Sequence, residues 1–258
     1  MTATAFFDVP QAPHTTTAGE VRLPILYGDA SLFQAFFLAD AWAARRALEG
    51  TGLEPVVVGP KAIAGLAFLD HRDTSLGPHH EAALGLVVRL AGDRSALRLL
   101  AGDLRSVGRQ RRLGFHVLHL PVTTAAARAA GGEIWGYPTF LADLPLDFTP
   151  GRFRGEVVDP TTGEPSVVLE GRVPAGVPGV GLDVVLYSRR DGAILRTVVD
   201  VRARVETSLG RALCLRVGPS AHPMAESVRA LGLEGASPLF VQRSLTFQAR
   251  LPPGVRVG

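Results

Sequence analysis

The chain has 258 residues, of which 47% are hydrophobic and 20% charged, with a formal net charge of +3. This balance excludes a disordered chain, and no apolar run reaches the ~18 residues that a membrane-spanning helix needs, so no membrane partner is expected. The sequence pI is near 9.6, but apart from the run RQRR at 109–112 the arginines are scattered, with no aromatic platform beside them, so no nucleic-acid partner is expected either.

Residues 1–20, rich in Thr, Pro and Ala, read as a flexible N-terminal arm, and 21–258 as a single domain. The arm lacks the basic segment and apolar stretch of a secretory signal. With Cys214 as the one cysteine, this points to the cytoplasm. Residues 32–38 (LFQAFFL) form a buried strand, and Asp40 caps a short helix over 41–49. Stretches 54–59 and 61–70 are β-like. A polar loop, HRDTSLGPHHE (71–81), precedes a strand over 83–90, and helical spacing recurs over 92–108. FHVLHLPV (115–122) alternates as a strand, and Thr123 or Thr124 caps an Ala-rich helix that ends at Gly131-Gly132.

The second half is almost entirely β. Residues 153–159 and 166–173 pair as a hairpin. A second hairpin, 182–190 with 193–206, turns at Asp191-Gly192, a dipeptide suited to a type I′ turn. A strand at 212–217, a short helix near 222–233 and a closing strand at 239–251 complete the chain. The fold class is α+β, mainly antiparallel β. So many strands exceed one open sheet, and closure into a barrel with a few flanking short helices is the expected solution.

No phosphate-binding loop, dinucleotide fingerprint, nucleophile elbow or zinc-protease motif occurs, and no cofactor is expected. His71, His79, His80 and Glu81 could supply metal ligands, as could His116 and His119. The first group lies in the polar loop, where solvated histidines are the rule. Positions 116 and 119 face opposite ways in a regular strand, so no metal site is expected.

One stretch carries a resemblance. GGEIWGYPTF (131–140) holds E-x-x-x-[YF]-P after a small-residue helix, and Asp73-Thr74-Ser75 with Glu81 precede it in the 71–81 loop. In these motifs, and in element order over about 20–256, the chain resembles the acetoacetate decarboxylase family; the helix at 92–108 looks like an insertion. The resemblance implies a closed antiparallel β-barrel, a substrate cavity inside it and a homo-oligomer. It also implies a Schiff-base lysine directly after the Tyr-Pro step, usually followed by a second lysine. Here those positions are Thr139 and Phe140, and the sole lysine of the chain, Lys61, sits after a Gly-Pro turn. A threonine hydroxyl cannot form an imine.

The expected function is therefore that of an enzyme on a small carbonyl substrate, a keto acid or polyketide-like molecule, acting by acid/base chemistry without a Schiff base. Dehydration, cyclisation, enolisation and imine-free decarboxylation all fit. Glu81, Thr139 and Glu133 are the candidate catalytic residues. Glu81 would serve as an acid or base of raised pKa, Thr139 as a hydrogen-bond donor to an oxyanion, and Glu133 as a second carboxylate. Arg72, His116, Trp135, Tyr137 and Phe140 are the candidate substrate contacts. A non-catalytic barrel that holds a hydrophobic ligand is the alternative, and an imine on Lys61 is a second one.

Overall fold

The fold follows from strands that bury both faces, as a computed structural model shows; it describes residues 3–93 and 110–257. The helix expected at 92–108 lies almost wholly outside the described residues. Seven strands close on themselves: β1 (Ile25–Asp40), β2 (Lys61–Thr74), β3 (His79–Leu90), β4 (Gly114–Val122), β5 (Val184–Arg190), β6 (Ala193–Arg202) and β7 (Phe240–Leu251). They pair in the order β7-β1-β2-β3-β4-β5-β6, and β6 returns to β7 through Asp200↔Arg250 and Val201↔Ala249. All these pairs are antiparallel except β4–β5, which is parallel. The expected closed, mainly antiparallel barrel is thus what forms. Asp191 (φ 50°) and Gly192 (φ 77°) make the β5–β6 turn, both left-handed as a type I′ turn demands.

The inward and outward faces of β2 and β3 differ in size. Outward, Leu66, Phe68, Leu84 and Leu86 are fully buried in the main hydrophobic cluster. There they meet a four-stranded sheet (146–147, 152–158, 165–172 and 213–217) laid over the barrel wall. Phe153 of that sheet stacks on Phe33 of β1, ring centroids 3.7 Å apart and nearly parallel. Inward, the same strands present Gly65, Ala67, Ala83 and Gly85. Large residues outside and small ones inside leave the barrel hollow.

Among the described residues four short helices flank this frame: α1 (Ala3–Phe7), α2 (Ala41–Ala47), α3 (Ala125–Trp135) and α4 (Pro223–Ala230). Asp40 accepts a hydrogen bond from the Ala43 N–H and Thr124 one from the Ala127 N–H, so both caps form as the sequence implies. α3, however, runs through Gly131-Gly132 rather than ending there. It stops at Gly136, which adopts the left-handed conformation (φ 69°) where an added Cβ would collide with the Arg189 carbonyl.

The N-terminal residues are likewise held rather than loose. Residues 12–16 and 19–23 form a hairpin, and the Arg250 guanidinium lies over the buried Phe6 ring, 4.6 Å from its centre.

A bulge in β4 alters the histidine geometry. The β3–β4 register slips between Leu84↔His119 and Gly85↔Val117, leaving residue 118 unopposed. His116 and His119 consequently lie on the same outer face, opposite Leu86 and Leu84, and both turn away from the barrel interior. His116 Nδ1 bonds the Tyr187 carbonyl (2.9 Å), and His119 Nε2 meets the Ser227 hydroxyl of α4 (2.8 Å).

Burial, then the nearby His222, lowers the His119 pKa to about 4. An unfolded histidine titrates near 6.5, so the stability that comes from a neutral His119 is complete above that pH and lost as pH falls towards 4. His119→Gln, still able to reach Ser227, should flatten the stability–pH curve between about 6.5 and 4. Denaturant titrations at several pH values should show it recovering up to about 3 kcal/mol of the acid loss.

Candidate active site

The hollow interior is a cavity of about 180 Å³. Its walls are mostly apolar, with Leu69, Val117, Leu120 and Phe247 among them. The polar side chains that reach it are Tyr27, Gln34, His71, Glu81 and Tyr137.

Strand geometry explains their grouping. The segment 71–81, expected as a polar loop, is instead the end of β2, a short turn and the start of β3. His71 sits directly opposite His79 in the antiparallel ladder, and Glu81, two residues after His79, points to the same inner face. His71 is 2% exposed and His79 5%. His80, between His79 and Glu81, points outward, where its Nδ1 meets the Leu144 carbonyl at 2.8 Å.

Among the described residues Glu81 is the only carboxylate lining the cavity. Protein encloses it on every side, and its remaining accessible surface opens into the cavity. Among the described residues no cation or donor pairs with it, so burial alone pushes its pKa up to about 7. Two tyrosines stand near. Burial raises the Tyr27 and Tyr137 hydroxyl pKa values far above neutrality, so both remain neutral donors. The Tyr137 hydroxyl has Thr197 as its neighbour, yet neither hydroxyl makes a hydrogen bond of good geometry. Burial also depresses the pKa values of His71 and His79, keeping both rings neutral.

Of the residues singled out in the sequence, Glu81, Trp135 and Tyr137 share the cavity. The Trp135 indole N–H donates to the Pro252 carbonyl (2.9 Å), and its ring runs nearly parallel to Tyr137. The other five lie elsewhere. The Thr139 hydroxyl donates to the Arg128 carbonyl on α3 (2.9 Å), and its methyl occupies the space that a side chain at Gly131 would need. Glu133 accepts from the Thr17 N–H and hydroxyl, tying α3 to the N-terminal hairpin. Arg72 grips Asp29 through two bonds of 2.7 Å and also meets Asp70 and Ser31, all on the outer side. His116 is held by Tyr187 as described, and Phe140 packs in the outer cluster against His222.

Lys61 opens β2, exposed, and does not line the cavity. The cavity therefore contains no amine that could form an imine.

His71 and His79 are the residues that sequence reasoning placed wrongly. Their signal was the H-x-E spacing at 79–81, which puts an imidazole and a carboxylate on one face if the segment is a strand. Thr139, by contrast, does not line the cavity, and its hydroxyl is engaged by the Arg128 carbonyl. Thr139→Val should cost about 1 kcal/mol in unfolding free energy through the lost bond to Arg128 while leaving cavity ligand binding unchanged. Calorimetric titration with a keto acid, beside a denaturation curve, checks both halves.

Comparison with known proteins agrees with the architecture. The family model described as acetoacetate decarboxylase matches residues 8–165. No curated protein matches the chain. Among solved structures, acetoacetate decarboxylase from Legionella pneumophila is similar at 16% identity over 98% of this chain and 92% of its own, with a TM-score of 0.64. An acetoacetate decarboxylase-like enzyme from Sphingomonas wittichii RW1 is 14% identical over 92% of this chain and 93% of its own (TM-score 0.61). The enduracididine biosynthesis enzyme MppR, solved in complex with pyruvate, is 16% identical over 91% and 90% (TM-score 0.60). At these identities the solved structures establish a shared fold, and the family match fixes the lineage: the chain belongs to the acetoacetate decarboxylase family.

Proposed function

We propose that the protein is an enzyme that converts a small carbonyl compound, a keto acid or polyketide-like molecule, inside the barrel without a Schiff base. The observation that carries this reading is the solitary Glu81 carboxyl in an apolar cavity that offers no amine. Dehydration, cyclisation, enolisation and imine-free decarboxylation of such substrates share an enol or enolate. Each needs a proton moved near the carbonyl and a donor for its oxygen. Glu81 moves the proton, and the neutral Tyr137 hydroxyl, free of a well-formed bond, supplies the donor. Apolar walls exclude water and strengthen both interactions. The pyruvate in MppR supports a keto acid as the first probe. A homo-oligomer, as the family resemblance implies, placed in the cytoplasm, to which the single cysteine points, completes the proposal.

Two measurements test it. Deuterium exchange at the C3 methyl of pyruvate or the C2 methylene of acetoacetate in heavy water, followed by proton NMR, should be accelerated by the wild-type chain. Glu81→Gln should cut that acceleration at least about 100-fold. An unchanged rate removes Glu81 from the chemistry. Borohydride treatment with the same keto acids should leave the intact mass unaltered, whereas a stable adduct on Lys61 would restore imine chemistry. Saturable keto-acid binding without any exchange would favour the second reading, a non-catalytic ligand-binding barrel, for which the apolar walls are the motivating feature.

A further inference from the structure

We propose that His71, His79 and Glu81 form a binding site for one divalent transition-metal ion at the cavity wall, a place where the sequence gives no expectation of a metal. One ligand atom from each of the three lies within 4.8 Å of those of the other two. Bonds of about 2.0–2.2 Å to a tetrahedral ion hold such atoms about 3.4 Å apart, so loading the ion would draw the three side chains together, with Glu81 moving towards the two rings.

The polar atoms involved are unusually exposed to loss. Both nitrogens of His71 and the Nε2 of His79 are buried without a hydrogen-bond partner. Leaving such groups unpaired costs about 1–3 kcal/mol each, and one free lone pair on each neutral imidazole beside the Glu81 carboxylate calls for a shared electrophile. The His79 ring is also oriented for the task. Its Nδ1 lies 2.9 Å from the Gly77 carbonyl, which fixes the proton on Nδ1 and leaves the Nε2 lone pair facing the cluster. His71 is wedged between the Tyr27 and His79 rings, each 4.7 Å away between centroids, and this packing limits its motion.

Two neutral imidazoles and one carboxylate form the donor set of catalytic zinc and non-haem iron sites, with coordination positions left open. The Arg72 guanidinium, on the same strand as His71, is engaged by Asp29 and Asp70 on the outer side and does not neutralise Glu81 from within. An ion here would carry a residual positive charge into an apolar cavity and could take a substrate carbonyl oxygen as a ligand. With Glu81 engaged as a ligand, the ion would stabilise a developing enolate as a Lewis acid, a role that in the metal-free form falls to proton transfer by Glu81. That role rests on the proposed carbonyl chemistry; the binding itself does not.

The test needs no substrate. The full chain, stripped with a chelator, is titrated with Co²⁺ and Zn²⁺ by calorimetry and visible absorption. One ion per chain, a Kd of about 10 µM or tighter and cobalt d–d bands of low-symmetry coordination are expected. His71→Gln and His79→Gln should each weaken binding at least about 100-fold and abolish the metal-induced rise in Tm, while His119→Gln on the outer face keeps both. Circular dichroism of the stripped variants separates a lost site from a lost fold. Absence of binding, or equal affinity in a folded His71→Gln/His79→Gln double variant, overturns the proposal. If no ion binds yet the stripped wild type exchanges keto-acid protons through Glu81, only the metal site falls. If the ion binds as stated and neither form exchanges, only the carbonyl reading falls.

Discussion

Burial on both faces of the barrel strands is the constraint on which the rest of the structure depends. The outer faces of β1, β2 and β3 must satisfy a covering sheet, so Phe33, Leu66, Phe68, Leu84 and Leu86 fill that layer with no exposed surface. The inner faces then have freedom to be small, and Gly65, Ala67, Ala83 and Gly85 use it. A closed barrel of seven strands whose inner residues were all large would be solid. The cavity is thus a property of side-chain size at alternate positions, and its stability comes from the outer layer, where close packing contributes most of the favourable burial.

That division also explains why polar groups can be held unpaired inside. Glu81 and His71 stand in a low-dielectric space without compensating charge or hydrogen bonds, which is unfavourable for folding. The surrounding ladder tolerates it because the flanking pairs Leu69↔Glu81 and His71↔His79 belong to a long regular stretch of β2–β3 pairing. Local cost at the inner wall is offset by regular structure on either side, the pattern expected where chemistry rather than stability selects the residues.

Much of this was legible in the sequence. The β-meander, the Asp191-Gly192 turn, the caps at Asp40 and Thr124 and barrel closure all follow from local pattern and strand count. The motif GGEIWGYPTF directs attention to Trp135 and Tyr137, and both line the cavity. Three features were hidden for separate physical reasons. The segment HRDTSLGPHHE looks like a loop because its inward residues are polar, and a strand facing a cavity need not alternate with apolar ones. The β4 bulge leaves no sign in FHVLHLPV, yet it reverses the relation between His116 and His119. The roles of Glu133 and Arg72 depend on partners far away in sequence, Thr17 and Asp29, and that of Thr139 on the Arg128 carbonyl across the intervening turn, none of which a local pattern reveals.

Thr139 shows how a lost residue differs from a replaced one. Its hydroxyl is spent on the α3 backbone and its methyl against Gly131, so the position now serves to seat the helix that walls the cavity. Nothing at that position inherits the lysine's task. Under the proposed carbonyl chemistry an electrophile would come from another wall, and the β2–β3 hairpin, with His71, His79 and Glu81 on its inner face, offers ligands for one. The two walls flank the same interior: Gly131 and Trp135 of α3 and Glu81 of β3 all border one cavity. Moving the electrophile from the Tyr-Pro turn to the hairpin would alter the side from which a carbonyl is approached while leaving the barrel, the apolar lining and the aromatic Trp135–Tyr137 shelf in place. A family fold can in this way retain its chamber while the group that acts on the substrate changes both its chemistry and its address.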